Sequence, residues 1–173
     1  MKDELTHIDE SGKARMVDVT PKSDTHRIAI AEGKIYMKSS TLDMIEASEI
    51  AKGDVLAVAR IAGIMSAKRT AELVPLCHTI LLTGVNVDFT SFRNDGTSGI
   101  AIRSKVISSG KTGVEMEALT AISVSALTIY DMCKAIDRGM RISDIRLIEK
   151  RGGKSGTWTA DGHQDNSGDT DHK

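Results

Sequence analysis

Aromatic side chains make up only 3% of this 173-residue sequence. The core must therefore be aliphatic, and a surface that stacks nucleic-acid bases on aromatic rings is disfavoured. The sequence also lacks an excess of either charge, because 23 Lys and Arg balance 24 Asp and Glu for a formal net charge of −1. Overall charge thus predicts no polyanionic partner, and we expect no nucleic acid to bind. An anion site would have to be a local cluster.

Cysteine and long apolar runs are scarce as well. Cys77 and Cys133 are the two cysteines, and two thiols without a C-x-x-C motif make no disulfide framework, which favours a reducing, cytoplasmic setting. No apolar run reaches the length of a membrane-spanning helix. The acidic N-terminus has no apolar stretch typical of a signal peptide. We therefore expect no membrane association.

The length favours one domain. Residues 1–30 are polar and predict an extended arm, residues 31–155 a catalytic domain, and residues 156–173, rich in Gly, Asp, Ser and Thr, a disordered tail. Hydrophobic periodicity in the middle predicts the following elements: a strand at 34–38, a helix from Ser40 with Asp43 in a capping-box position, a helix over 55–73 capped by Asp54, a hairpin over 85–102 with Asp95-Gly96 in its loop, a helix over 114–138 and a strand at 142–150.

The resulting order, β-α-α-β-β-α-β, becomes the split βαβ order when the two consecutive helices form one layer. The sequence thus predicts an α+β fold: a ferredoxin-like α/β sandwich with an antiparallel sheet and helices on one face.

Two stretches imitate a nucleotide-binding loop. Residues 109–112 (SGKT) and 153–155 (GKS) contain G-K-[ST], but the Gly that a P-loop needs five positions earlier is replaced by Lys105 and Ile148. Lys154 remains a Gly-flanked lysine that can meet a phosphate, although a solvated turn lysine is the simpler interpretation. Metal binding is equally weakly indicated, because His7, His26, Cys77, His78 and Cys133 are scattered without zinc-type spacing. We expect no metal and no cofactor.

Polar residues of the long helix suggest chemistry. Asp131 and Lys134 share a face, either as a surface ion pair or as a carboxylate and ammonium tuned for proton transfer. Glu115 and Glu117 either interact with the helix dipole or accept hydrogen bonds from a guanine-type ring. Glu117 and Asp131 lie about 21 Å apart along an unbroken helix at a rise of about 1.5 Å per residue. One site using both therefore requires a helix that begins after Glu117 or a second subunit.

Cations form a second group. Lys52, Lys68, Arg27 and His78 are either a solvated basic surface or donors for a triphosphate, whose charge calls for several.

Several segments of the sequence resemble those of one protein family. They are Met16–Val19, Lys52–Asp54, Ala59–Ile64, Ala67–Thr70, Pro75–His78, Lys111–Ala121, Ala126–Ala135 and Gly152–Gly156. Over about residues 5–156 the chain resembles the cyclic pyranopterin monophosphate synthases of molybdenum cofactor biosynthesis, the MoaC family. Thr79 departs from the Pro expected after the Cys-His pair.

The resemblance implies a ferredoxin-like subunit in a hexamer, a trimer of dimers with sites at the dimer interface. It implies a lyase that takes a cyclised GTP derivative, made by the radical enzyme of the preceding step, to cyclic pyranopterin monophosphate and diphosphate. Asp131 would be the general acid/base and Lys134 would tune it. The residues implied to bind substrate are Leu76, Cys77, His78, Met116, Glu117, Glu115, Lys52, Lys68, Arg27 and Lys154. The alternative, a non-catalytic purine nucleotide binding module on the same fold, stays open.

Overall fold

The computed structural model describes residues 11–160. Within them the elements are β1 (Thr25–Met37), α1 (Ser39–Glu46), α2 (Val55–Ala67), α3 (Thr70–Leu73), β2 (Leu82–Asn94), β3 (Thr97–Gly110), α4 (Glu115–Cys133), β4 (Arg141–Arg151) and β5 (Trp158–Thr159). The sheet order is β2-β3-β1-β4-β5 and every described pair is antiparallel. The first four strands thus have the split βαβ order, and the predicted α+β, ferredoxin-like fold is confirmed.

The core lies between the sheet and the helices. Helix α4 packs on β1, β3 and β4, and α2 packs on α4 and β2. Ile35, Ile100 and Ile102 from the strands meet Ile122 and Ile129 of α4, and all five are at most 1% exposed. Aliphatic side chains thus build the interior, as the scarcity of aromatic residues predicts.

Strand β1 begins at Thr25, nine residues before the predicted start at Lys34. The early half is hard to recognise because its helix-facing residues are small: Ala29 and Ala31 are both 0% exposed. Strand β5 was not predicted either, because Trp158 and Thr159 lie in the segment predicted to be disordered. They pair with Lys150 and Glu149 of β4. Residues 1–10 and 161–173, which include His7 and most of the predicted tail, lie outside the described residues.

The hairpin turn matches its sequence signature. Asp95 and Gly96 have φ of 44° and 79°, and they link Asn94 to Thr97 directly. Two consecutive positive φ values are those of a type I′ turn, for which Asp-Gly is favoured. The flanking strands extend to the turn itself, so the loop consists of Asp95 and Gly96 alone.

The N-terminal caps of α1 and α2 were both predicted from the sequence. The Asp54 side chain accepts a hydrogen bond from Ala57 N at 3.0 Å, which confirms that predicted cap. The predicted capping box of Ser40 and Asp43 is wrong, because the N-cap of α1 is Lys38, which makes no side-chain capping bond. The Lys38 N–H donates instead to Asp137 Oδ2 at 2.9 Å.

The two long predicted helices are also shorter than expected. The helix predicted over 55–73 breaks after Ala67, where the separate turn α3 begins at Thr70. Helix α4 ends at Cys133, not at Arg138. The chain turns there so that Asp137 reaches α1 and accepts from Gly139 N at 3.1 Å.

Candidate functional site

Asp131 lies in the last turn of α4 between two lysines. Lys134 Nζ is 2.6 Å from Asp131 Oδ1, and Lys52 Nζ, from the loop before α2, is 3.0 Å from Oδ2. Lys52 Nζ also donates to the Asp131 carbonyl oxygen at 2.9 Å. The predicted Asp131–Lys134 pair is therefore part of a three-residue cluster, whose third member, Lys52, lies 79 residues before Asp131 in the sequence.

The two ammonium groups tune Asp131. Hydrogen bonds from Lys134 first, and then from Lys52, lower the pKa of the Asp131 carboxyl. The same contact with Asp131 raises the pKa of Lys134. Near neutral pH Asp131 is therefore a carboxylate and Lys134 an ammonium group, and all three side chains of the cluster are about half exposed. Such a carboxylate can accept a proton, and the ammonium groups can face an anionic ligand.

A cavity of about 420 Å³ opens at the other end of α4. The turn after α3, the first turn of α4, residues 112–113 and the N-terminal arm all contribute to it. Its described lining residues are Val17, Val19, Lys22, Leu76, Cys77, His78, Ile80, Thr112, Gly113, Glu115, Met116 and Glu117. Six of the predicted substrate-binding residues are thus brought together in one cavity.

Glu117 is the buried acid of this cavity, with only 3% of its surface exposed. Burial, reinforced by the charge of Glu115, raises the pKa of its carboxyl to about 7. Burial and the charge of Glu117 likewise raise the pKa of the Cys77 thiol. Near neutral pH Glu117 can therefore both donate and accept a hydrogen bond, which suits the edge of a nitrogen heterocycle.

His78 anchors the N-terminal arm across the cavity. Its Nε2 lies 2.7 Å from the Val17 carbonyl oxygen. Because a carbonyl oxygen can only accept a hydrogen bond, Nε2 carries a hydrogen and is the donor. Val17 and Val19 line the same cavity. The arm is thus one wall of the cavity.

Glu115 stands at the rim, where its Oε1 lies 3.3 Å from Lys150 Nζ at the end of β4. Its carboxylate lies so close over Gly113 that a Cβ there would fall 1.8 Å from Oε2. A side chain at 113 would therefore push the Glu115 carboxylate out of this position. Sequence reasoning missed Lys150, since no spacing links it to Glu115, and it did not place Thr112 or Gly113 at the site.

The remaining predicted residues lie elsewhere. Arg27, Lys68 and Lys154 do not line the cavity. Lys68 is the exposed C-cap of α2, and Lys154 lies exposed in the loop after β4. Arg27, at the beginning of β1, donates from Nε to Gly110 O at 2.8 Å and from Nη2 to Lys111 O at 3.0 Å.

The Glu117 cavity and the Asp131 cluster are held apart by α4. The helix begins at Glu115, so the alternative in which it starts after Glu117 is wrong. Fourteen residues of continuous helix separate the two acids by about 21 Å. A larger groove of about 630 Å³, lined by Glu32, Arg103 and Arg146 among others, includes none of the predicted site residues.

Within residues 11–160 no three His, Cys, Asp or Glu side chains are placed to hold a metal ion together. In the same part of the chain, no helix has the length and apolar character needed to cross a membrane.

Comparison with known proteins gives a consistent result. A family model described as the MoaC family matches residues 16–153. A cyclic pyranopterin monophosphate synthase of Listeria welshimeri is 58% identical over 160 residues, covering 92% of this chain and 98% of the relative. Synthases of the same name from Heliobacterium modesticaldum and Novosphingobium aromaticivorans are each 61% identical, covering 89% and 91% of this chain and 96% and 98% of their own lengths.

One solved structure is also similar in part. A de novo designed protein with a ferredoxin fold aligns with a TM-score of 0.36 and 17% identity, covering 79% of this chain and 95% of the designed one.

Proposed function

The chain belongs to the MoaC family, and from this premise we propose that it is a cyclic pyranopterin monophosphate synthase, a lyase of molybdenum cofactor biosynthesis that works in the cytoplasm. One observation carries the proposal: the family match over residues 16–153 spans both the Glu117 cavity and the Asp131 cluster. High identity to synthases of that name, over nearly their whole lengths, supports the same activity here.

The proposed substrate is (8S)-3′,8-cyclo-7,8-dihydroguanosine 5′-triphosphate, supplied by the radical enzyme of the preceding step. The products are cyclic pyranopterin monophosphate and diphosphate. The conversion needs hydrolytic opening of the purine remnant, closure of the pterin ring and formation of the cyclic phosphate. These steps require a group that transfers protons and cations beside the phosphate, and the cluster of Asp131, Lys134 and Lys52 provides both.

In this mechanism Asp131 acts as the general acid/base. Its lowered pKa keeps it ionised in the resting site, so it first accepts a proton and returns it in a later step. Lys134 remains protonated because Asp131 raises its pKa. Lys134 and Lys52, already beside the carboxylate, stabilise negative charge on the phosphate chain.

The cavity at the beginning of α4 would hold the purine-derived ring. Glu117, with a pKa of about 7, offers one donor and one acceptor to the ring edge, and Leu76 and Met116 supply apolar contacts. His78 is oriented by the Val17 carbonyl and can present its other ring nitrogen to the ligand. We propose Lys154 and Lys68 as further residues that contact the phosphate groups.

We further propose that one substrate is shared between two copies of the chain. The separation of about 21 Å along α4 keeps Glu117 and Asp131 of one copy from meeting around one small substrate. A second copy that brings its Asp131 cluster to the Glu117 cavity completes the site. A hexamer built as a trimer of dimers is the assembly proposed here.

Exposed apolar side chains support association. On α2, Val58, Ile61 and Met65 are 44%, 60% and 47% exposed, and Leu127 of the adjoining α4 is 57% exposed. Their spacing on α2 places the three on one helical face, and apolar patches of this kind mark interfaces. Light scattering should therefore find a smaller assembly for Ile61→Asp than for the wild type. An unchanged mass would exclude this face from the interface.

The activity is tested by following diphosphate release from the cyclised GTP derivative. The wild type should release one diphosphate per substrate, and Asp131→Asn should release none while still binding substrate. Asp88→Asn, a matched change at an exposed strand residue, should behave as the wild type. Tight binding without release by the wild type would favour the alternative, a purine nucleotide binding module.

A further inference from the structure

The two glycine–lysine stretches that fail as P-loops lie side by side in the fold. Residues 110–113 follow β3, residues 152–155 follow β4, and both flank the beginning of β1 at Arg27. Arg27 donates from Nε and Nη2 to the carbonyl oxygens of Gly110 and Lys111. One guanidinium therefore binds the first loop through two backbone contacts.

The second loop packs against the same residue. Gly153 has φ of +72°, and a Cβ there would lie 2.3 Å from Arg27 Nη1. Gly152 has φ of +97°, and a Cβ there would lie 2.1 Å from the carbonyl oxygen of His26. Both positions favour glycine for conformation, and at 152 the backbone oxygen of His26 also leaves no space for a Cβ. The loop therefore lies in close contact with the beginning of β1, and Gly153 lies against the Arg27 guanidinium.

These contacts continue into the candidate site. Thr112 and Gly113, next to the carbonyls that Arg27 holds, line the Glu117 cavity. Lys111 Nζ donates to Thr20 O at 3.0 Å, which ties the first loop to the N-terminal arm. On the second loop, Lys154 follows directly after Gly153. Arg27 thus stands between the wall of the cavity and the loop that carries Lys154.

We propose that Arg27 is a positioning residue, whose guanidinium holds the 110–113 wall of the cavity and the 152–155 loop in one fixed arrangement for the triphosphate. Its effect on turnover rests on the proposed function, but the packing that it enforces does not. Arg27 is then mainly a support for the groups that bind substrate, whereas the sequence suggested a direct ligand.

Replacement by lysine separates the two roles. Lysine keeps a point charge, which serves a direct phosphate contact, but it cannot make the two directed bonds and lie flat against Gly153. For Arg27→Lys we expect amide hydrogen exchange in unliganded protein to accelerate at least about tenfold in residues 111–113 and 152–155. Arg146→Lys, an exposed strand residue outside the site, should leave both loops unchanged.

A second pair of variants reaches the contact from the other side. Gly153→Ala and Gly156→Ala introduce the same Cβ at similar positive φ, +72° and +66°, but the Cβ at 156 meets nothing within 4 Å. Faster exchange at 111–113 in Gly153→Ala alone would show that the loops are coupled through Arg27. Equal effects would show only backbone strain.

Kinetics complete the test. For Arg27→Lys we expect KM for the cyclised triphosphate to rise at least about tenfold with kcat nearly unchanged, because proton transfer at Asp131 is untouched. Unchanged exchange in both loops, with weaker binding of inorganic diphosphate, would overturn the proposal and make Arg27 a direct ligand. Absence of turnover in the wild type would refute the proposed function, while the exchange result would still decide the role of Arg27.

Discussion

Glu117 is placed so that its replacement changes stability in a pH-dependent way. Burial raises the pKa of this carboxyl from 4.5 to about 7 in the folded protein. Each pKa unit corresponds to about 1.4 kcal/mol, so the ionised carboxylate costs the fold about 3 kcal/mol. Glu117→Gln keeps the shape of the side chain and removes the ionisation.

The sign follows from proton linkage. Between pH 4.5 and about 7 the folded protein binds the Glu117 proton more tightly than the unfolded chain does. The free energy of unfolding of the wild type therefore falls as the pH rises through this window. The advantage of Glu117→Gln should grow from near zero below the window to its full value above it, a difference in Tm of about 6 to 12 °C.

Urea unfolding of both proteins at pH 5 and pH 8 measures this advantage as a difference in the free energy of unfolding, and thermal unfolding measures it as a difference in Tm. Glu72→Gln, a change at an exposed glutamate of α3, is the matched control and should show no such trend. An advantage of Glu117→Gln that is the same at both pH values would refute the assignment of a raised pKa to Glu117.

Two other changes test local features. Lys134→Ala should move the acid limb of the kcat/KM profile to higher pH, because Lys134 is the larger cause of the lowered Asp131 pKa; a larger displacement in Lys52→Ala would contradict that order. Asp54→Ala should lower the free energy of unfolding by about 1 kcal/mol through loss of the α2 cap, as measured in urea. A loss no greater than that of Asp88→Ala would contradict this role for the cap.

Much of the fold follows from local patterns. The alternation of Val85, Val87 and Phe89 predicts β2, Asp95-Gly96 predicts the turn, and Asp54 predicts the beginning of α2. Each depends on neighbours in the chain, whose influence the sequence displays directly.

What the sequence did not predict depends on distant residues. The N–H of Lys38, the N-cap of α1, donates to Asp137, 99 residues away, so the local Ser40–Asp43 pattern was misleading. Lys52 joins Asp131 across 79 residues, and Lys150 joins Glu115 only because β4 ends beside α4. Such pairings are set by the arrangement of strands and helices, and spacing in the sequence carries no trace of them.

The claim that one site combines Glu117 of one copy with Asp131 of another is tested most directly by mixed assemblies. Asp131→Asn and Glu117→Ala, each expected to be inactive alone, are unfolded together and refolded, and diphosphate release is then measured. Mixed assemblies contain some sites with both native residues, so activity should return to about a quarter of the wild-type level in a dimer-based statistical mixture. No recovery in assemblies shown to contain both variants would place both residues in one copy and contradict the account.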